Sequence, residues 1–200
     1  MLGVLLAACF VPAKAFSQSS PRGTASLDLR GRGNPKLCPI QNACSVSVEY
    51  GRPSLNGRTV DEVLDKVPSG GLWQVGADTS TTFKTENDLT FGAICANGPA
   101  SAQLQCPTVT IPAGEYSIWM QRQEGNSWKL LFDKKHGQSG ETVPDPLECF
   151  ASVPLLVSGP HDGRPQEMLT ISLGSTKDDR GGWIDIQWGT LEARVFLAPK

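Results

Sequence analysis

Short segments of alternating apolar and polar residues recur along most of the chain, and residues that favour turns separate them. Ala25–Leu29 and Val46–Tyr50 both carry an apolar side chain at every second position. This period of two is that of a β-strand with one buried face. The chain also holds 21 Gly and 15 Pro, which suit many tight turns. The pattern therefore predicts an all-β fold, an antiparallel β-sandwich or flattened barrel of about eleven short strands.

A single segment has the features of a helix. Thr59 is a suitable N-cap, and Asp61 and Glu62 are favourable in a first turn. Pro68 cannot continue a helix. The sequence thus predicts one short helix over Val60–Lys66.

The length and charge of the chain limit its domain organisation and its partners. It has 200 residues and a formal net charge of −2, with no basic run. A chain of this size with β-rich patterning favours a single domain, predicted over residues 25–200 after a flexible segment at 16–24. The charge disfavours nucleic acid and anionic membrane surfaces as partners.

The N-terminal residues predict export. Met1–Pro12 is apolar and uncharged, and the small residues of Ala13-Lys14-Ala15 suit signal peptidase. This predicts a signal peptide over residues 1–15 and a periplasmic or extracellular protein. Leu6-Ala7-Ala8-Cys9 also fits a lipoprotein box with an acylated Cys9, so a lipid anchor stays open. Twelve apolar residues are too few to span a bilayer, and no membrane span is predicted.

The cysteines fit an oxidising compartment. Removal of the signal peptide leaves five, and proximity predicts the disulfides Cys38–Cys44 and Cys95–Cys106, with Cys149 left over. Each bridge closes a short loop and stabilises by about 2–3 kcal/mol through the unfolded state. Zinc binding is the alternative, but the sequence has no Cys-x-x-Cys and no His beside either pair. No metal or cofactor is predicted.

Three motifs in the same order resemble the bacterial domain-of-unknown-function 2911 family. They are residues 50–58 (YGRPSLNGR), 73–82 (WQVGADTSTT) and 111–118 (IPAGEYSI). Trp128 and residues 186–189 (IQWG) also fall where the family pattern has them. The resemblance covers nearly all of the mature chain. It implies a β-fold, with residues 111–118 as a hairpin, and an exported bacterial protein. It brings no established activity.

Relatives usually carry Arg after the tryptophan, where this sequence has Gln74. They usually carry Asn-Glu after Gly-Ala, where this sequence has Asp78 and Thr79. Any role of those charged positions in relatives is therefore not transferred to this chain. The two cysteine loops look like insertions into otherwise short connections.

The first motif contains candidate ligand-binding residues. Tyr50, Arg52 and Arg58 lie at a strand end and in the turn after it. Two guanidinium groups there would suit a carboxylate or a sugar hydroxyl. The structural alternative is that the arginines bond loop carbonyls and pack over Trp73.

The second motif contains the other candidates. Small residues follow Trp73, and Asp78 and Thr81 add polar groups beside it. This composition suits the wall of a carbohydrate-binding cleft. The alternative is that Trp73 fills the core and Asp78 forms a turn.

No motif predicts catalysis. His136 and His161 lie in loops, and Gly137-Gln138-Ser139-Gly140 is not a nucleophile elbow. Asp162 and Glu167 near His161 match no known cation-binding loop. We therefore predict a non-catalytic binding or structural protein of the cell envelope, whose partner is a small molecule or glycan. The alternative is a hydrolase acting on an extracellular glycan or ester near Trp73 and Asp78.

Overall fold

The computed structural model describes residues 19–29, 44–92, 108–125, 127–159 and 163–200. Several predictions fall outside these ranges. They concern the signal peptide and lipid anchor at residues 1–15, both predicted disulfides through Cys38, Cys95 and Cys106, and His161 with Asp162.

The described part of the chain contains thirteen strands and one helix, joined by turns and loops. The first sheet contains β1 (Arg22–Leu29), β2 (Cys44–Gly51), β3 (Leu72–Gln74), β4 (Thr82–Thr85), β7 (Gly114–Arg122), β8 (Trp128–Asp133) and β9 (Ala151–Pro154). The second contains β5 (Leu89–Phe91), β6 (Val109–Ile111), β10 (Leu156–Ser158), β11 (Gln166–Ser175), β12 (Gly182–Gly189) and β13 (Leu191–Pro199). The helix α1 covers Val60–Leu64.

All of the strand pairs are antiparallel, and the two sheets pack face to face. The first sheet has the order β1-β2-β4-β7-β8-β9, with β3 also paired to β7. The second has the order β11-β12-β13-β5-β6, with β10 also paired to β13. The predicted all-β sandwich is confirmed.

The chain passes from the first sheet to the second at Leu155, between β9 and β10. The turn at residues 112–114 does not close a hairpin, because β6 pairs with β5 whereas β7 pairs with β4 and β8. That turn also joins the two sheets.

The apolar side chains of the alternating segments form the core between the sheets. Val46, Val48 and Phe83 are fully buried. Phe83, Phe91 and Phe132 meet edge to face, with ring centroids 5.1 Å apart for Phe91 and Phe132. This geometry is the favourable one for aromatic rings.

The short helix begins with a capping box. The Thr59 hydroxyl accepts a hydrogen bond from the Glu62 N–H, and the Glu62 carboxylate accepts one from the Thr59 N–H. Val60 and Leu64 are buried against the core. The predicted helix is confirmed, and it ends two residues earlier than expected.

Candidate functional site

The Tyr50 hydroxyl bonds to the backbone of the other sheet. It accepts a hydrogen bond from the Ile171 N–H (2.8 Å) and donates one to the Ile171 carbonyl (3.1 Å). Ile171 belongs to β11, the edge strand of the second sheet. Tyr50 is only 3% exposed. The Tyr50 hydroxyl is therefore the hydrogen-bond partner of an N–H and a carbonyl on the outer side of β11, where the second sheet has no further strand.

The residues after Tyr50 continue along the same edge. Arg52 Nε donates to the Leu169 carbonyl (3.2 Å), and Pro53 O accepts from the Leu169 N–H (2.9 Å). The Leu55 N–H donates to the Glu167 carbonyl (3.0 Å). The first family motif thus covers the edge of β11 from residue 167 to residue 171.

Replacement of Tyr50 by Phe tests this contact. The ring would stay in place, but the N–H and carbonyl of Ile171 would lose their partner in a buried position. We expect the free energy of unfolding to fall by about 1–3 kcal/mol, measured by denaturant titration. Tyr116→Phe is the matched control, because that hydroxyl donates to the carbonyl of Pro112, four residues away in the chain (3.0 Å). An equal loss in the two variants would contradict a special role for Tyr50.

Arg58 is exposed and contacts its own turn. Its Nε donates to the Leu55 carbonyl at 2.9 Å. Glu167 fixes the same turn, accepting hydrogen bonds from the Ser54 hydroxyl and the Asn56 N–H (2.8 Å). These two bonds lower the pKa of the Glu167 carboxyl, with Ser54 the larger cause.

Trp73 lies in a cluster of three tryptophans. Its ring stacks on Trp188, with centroids 5.6 Å apart and planes 3° from parallel, and meets Trp128 edge to face at 6.5 Å. Trp73 is 9% exposed. It thus packs in the core. Within the described residues, the Trp188 Nε1 is a buried donor without a hydrogen-bond partner.

The segment after Trp73 forms a compact loop. Thr81 is fully buried, and its hydroxyl donates to the Val75 carbonyl. Asp78 is exposed and has a left-handed backbone (φ 66°). Its carboxylate accepts from the Ser20 N–H (2.8 Å), and its carbonyl accepts from the Gly140 N–H (2.7 Å).

Within the described residues, the six predicted ligand-binding residues lie in different surroundings. Tyr50 and Arg52 lie on the edge of β11, while Trp73 and Thr81 are buried beneath the surface. None of the six lines either of two open concavities that the described residues form.

The two concavities adjoin at Arg122, and together we call them the Arg122 groove. The helix lobe, of about 510 Å³, is lined by residues that include Asp61, Asp65, Trp128, Ser158, Thr190 and Leu191. The turn lobe, of about 610 Å³, is lined by Ser69, Gly70, Gln121, Gln123, Glu124 and Ser127. Arg122 lines both lobes.

Arg122 is held by the end of the helix. Its Nη1 donates to the carbonyls of Leu64 and Val67, both at 3.0 Å, and its Nη2 donates to Asp65 Oδ1 at 3.0 Å. The guanidinium group therefore gives the Leu64 carbonyl, which also accepts from the Val67 N–H, a second hydrogen bond, and it bonds Val67 beyond the end of the helix. No local pattern predicts this contact, because Arg122 and Leu64 are 58 residues apart.

The described residues contain no group of three His, Cys, Asp or Glu side chains that could hold a metal ion. His136 Nδ1 lies 3.6 Å from Glu115 Oε2, and Glu115 also pairs with Lys84 at 2.9 Å. Lys84 is the main cause of the lowered pKa of Glu115. In the part of the chain that the structure covers, no helix is long and apolar enough to cross a membrane.

Cys149 is a free, half-buried thiol in the loop before β9. Burial is the main reason that its pKa rises from 9.0 to about 11, and Asp133, Asp145 and Glu148 add to the rise. Because the thiolate is the reactive form, we expect alkylation at pH 8 about 100-fold slower than for an ordinary thiol. Timed iodoacetamide labelling measures this, with urea-denatured protein as the control. Equal rates in the two states would contradict it.

A family model described as "Protein of unknown function (DUF2911)" matches residues 38–98 and 99–197. Comparisons with curated proteins and with solved structures gave no significant match.

Proposed function

Because this chain belongs to the DUF2911 family, which is described only as a family of proteins of unknown function, we propose a function from its own residues. The protein is an exported, non-catalytic module of the cell envelope that binds a small molecule or glycan.

One observation carries the proposal: the side chains of the family motifs contact the protein itself. Tyr50 and Arg52 bond the backbone of β11, Trp73 stacks on Trp188, and Thr81 bonds Val75. Because these side chains contact other parts of the same chain, they stabilise the fold, which then acts as a rigid scaffold. The Arg122 groove is an open surface on the described part of this scaffold.

The N-terminal sequence supports export. N-terminal analysis of the mature protein is expected to give Phe16 as the first residue, following cleavage after Ala15. A mature protein that begins with an acylated Cys9 would instead make it a lipoprotein. A retained Met1 on protein recovered from cytoplasm alone would contradict export.

The cysteines support an oxidising compartment. Cys44 is fully buried at the start of β2. Peptide mapping without reducing agent is expected to find Cys38–Cys44 and Cys95–Cys106, with Cys149 as a thiol or joined to a second chain. If all five cysteines of the exported protein are thiols, oxidative cross-linking is excluded.

Ligand binding is tested by thermal unfolding of the purified protein with sugars, envelope glycan fragments and metal ions. A ligand specific for the folded state adds about 2.7 kcal/mol of stability at 100 times its Kd. We expect a sugar or glycan to raise the midpoint and metal ions to leave it unchanged. The absence of any stabilising compound would contradict a binding role.

Catalysis is tested separately. The stabilising compound is incubated with the protein for many hours and then analysed by mass spectrometry. We expect it to be recovered intact. Release of hydrolysis products would contradict the non-catalytic assignment and support a hydrolase.

A further inference from the structure

The composition of the Arg122 groove identifies a class of ligand. Hydroxyl and amide groups are prominent in its lining, from Ser69, Ser127, Ser158, Thr190, Gln121 and Gln123. Such groups both donate and accept hydrogen bonds, as do sugar hydroxyls.

The amides of the turn lobe are held in fixed positions. Gln123 Nε2 donates to Gln121 Oε1 (3.0 Å), and Gln121 Nε2 donates to the Gly70 carbonyl (3.0 Å). An ordered polar wall of this kind binds a ligand without a large loss of side-chain freedom.

The helix lobe adds apolar surface to the polar groups. Leu64, Leu191 and Trp128, each less than a tenth exposed, form a narrow apolar floor beside Ser158 and Thr190. Polar groups set among apolar side chains are typical of small-molecule sites. They suit a sugar ring, which has hydroxyls at its rim and C–H groups on its faces.

The charges of the groove disfavour an anionic ligand. Among the lining residues, Asp61, Asp65 and Glu124 are acidic and only Arg122 is basic. The charge of Arg122 is also paired with Asp65 at 3.0 Å. An acidic polymer would therefore meet a net negative surface.

We infer that the Arg122 groove binds a neutral oligosaccharide, with successive sugar units lying in the two lobes on either side of Arg122. The inference rests on the proposed binding function and adds the site and the ligand class. Two adjoining lobes suit a linear chain of sugars better than a single ring.

Titration of the purified full-length exported protein tests the inference. The probes are cellotetraose, chitotetraose and maltotetraose, with their monosaccharides and with tetragalacturonate as an anionic comparator. Amide chemical shifts report the site, and calorimetry reports the affinity. We expect at least one neutral tetrasaccharide to bind at least about tenfold more tightly than its monosaccharide and than tetragalacturonate, because it contacts both lobes. It should shift the amides of Gln121, Gln123 and Thr190.

Tryptophan substitutions block each lobe in turn. Ser158→Trp in the helix lobe and Ser69→Trp in the turn lobe are each expected to weaken binding at least about tenfold by filling the concavity. Ser172→Trp is the matched control, because Ser172 is also an exposed serine but lines neither lobe. Thr190→Trp is the second helix-lobe variant, used if Ser158→Trp lowers the thermal midpoint.

The remaining outcomes separate this inference from the proposed function. Binding that neither lobe variant weakens, or that favours tetragalacturonate, overturns the groove assignment and leaves a binding protein. If none of the three neutral tetrasaccharides binds but another compound stabilises the protein, the groove assignment is likewise overturned and a binding protein remains. If no compound binds at all, the groove assignment and the proposed function both fail.

Discussion

Replacement of Trp73 by alanine is expected to lower the free energy of unfolding by about 3–5 kcal/mol. The ring is 9% exposed and lies between two other tryptophans, stacked on Trp188 and edge-on to Trp128. Its removal would leave a cavity that two large rigid neighbours cannot fill. Denaturant unfolding followed by circular dichroism measures the loss.

Trp183→Ala is the control for this prediction. Trp183 is half-buried, and its contacts are with Phe196 (6.5 Å) and the Arg194 guanidinium (5.4 Å). We expect its replacement to cost about 1–2 kcal/mol. Near-wild-type stability of Trp73→Ala would refute the structural role of Trp73 and return it to the list of ligand-binding candidates.

A double-mutant cycle extends the test. Trp73 and Trp188 are in direct contact, so their alanine variants are expected to be non-additive by about 0.5–3 kcal/mol. Arg52 bonds β11, and the ring contacts of Trp73 are with the other tryptophans. Weaker coupling of Arg52 with Trp73 is therefore expected. Strong coupling of Arg52 with Trp73 would show instead that the first two family motifs act as one unit.

The strands and the helix could be predicted because their signals are local. Alternation in Val46–Tyr50 places every second side chain in the core, as observed for Val46 and Val48. Thr59 and Glu62 form the expected capping box within four residues of chain. Both patterns depend on neighbours close in sequence, which a single chain displays directly.

The long-range contacts could not be predicted for the opposite reason. Tyr50 reaches Ile171 across 121 residues of chain, and the partner groups are backbone atoms that any residue would offer. The Arg122 groove likewise combines the helix, the β7–β8 turn and the β12–β13 turn. No periodicity or motif spacing reports which turns of a sandwich will lie together.

Gly51 belongs to the first family motif and lies against Ala77 of the second. Its replacement by alanine is the second substitution from which we expect a large loss of stability. A Cβ at position 51 would lie 2.3 Å from the Ala77 carbonyl oxygen and 2.9 Å from the Ala77 nitrogen. Both obstacles are backbone atoms of the loop between β3 and β4, so no side-chain rotation relieves the clash. The strand end and the loop would have to separate. That separation would disturb the adjoining hydrogen bonds of Tyr50 and Thr81.

We expect Gly51→Ala to lower the free energy of unfolding by about 3 kcal/mol, the upper end of the usual cost of overpacking. Gly159→Ala is the matched control, because an added Cβ there meets nothing within 4 Å. Its effect should stay within about 0.5 kcal/mol. Denaturant titration of the two variants beside the wild type gives both values. If Gly51→Ala is as stable as Gly159→Ala, the first two motifs do not pack backbone against backbone. The case that they form a scaffold separate from the Arg122 groove would then rest on the side-chain contacts of Tyr50, Arg52 and Trp73 alone.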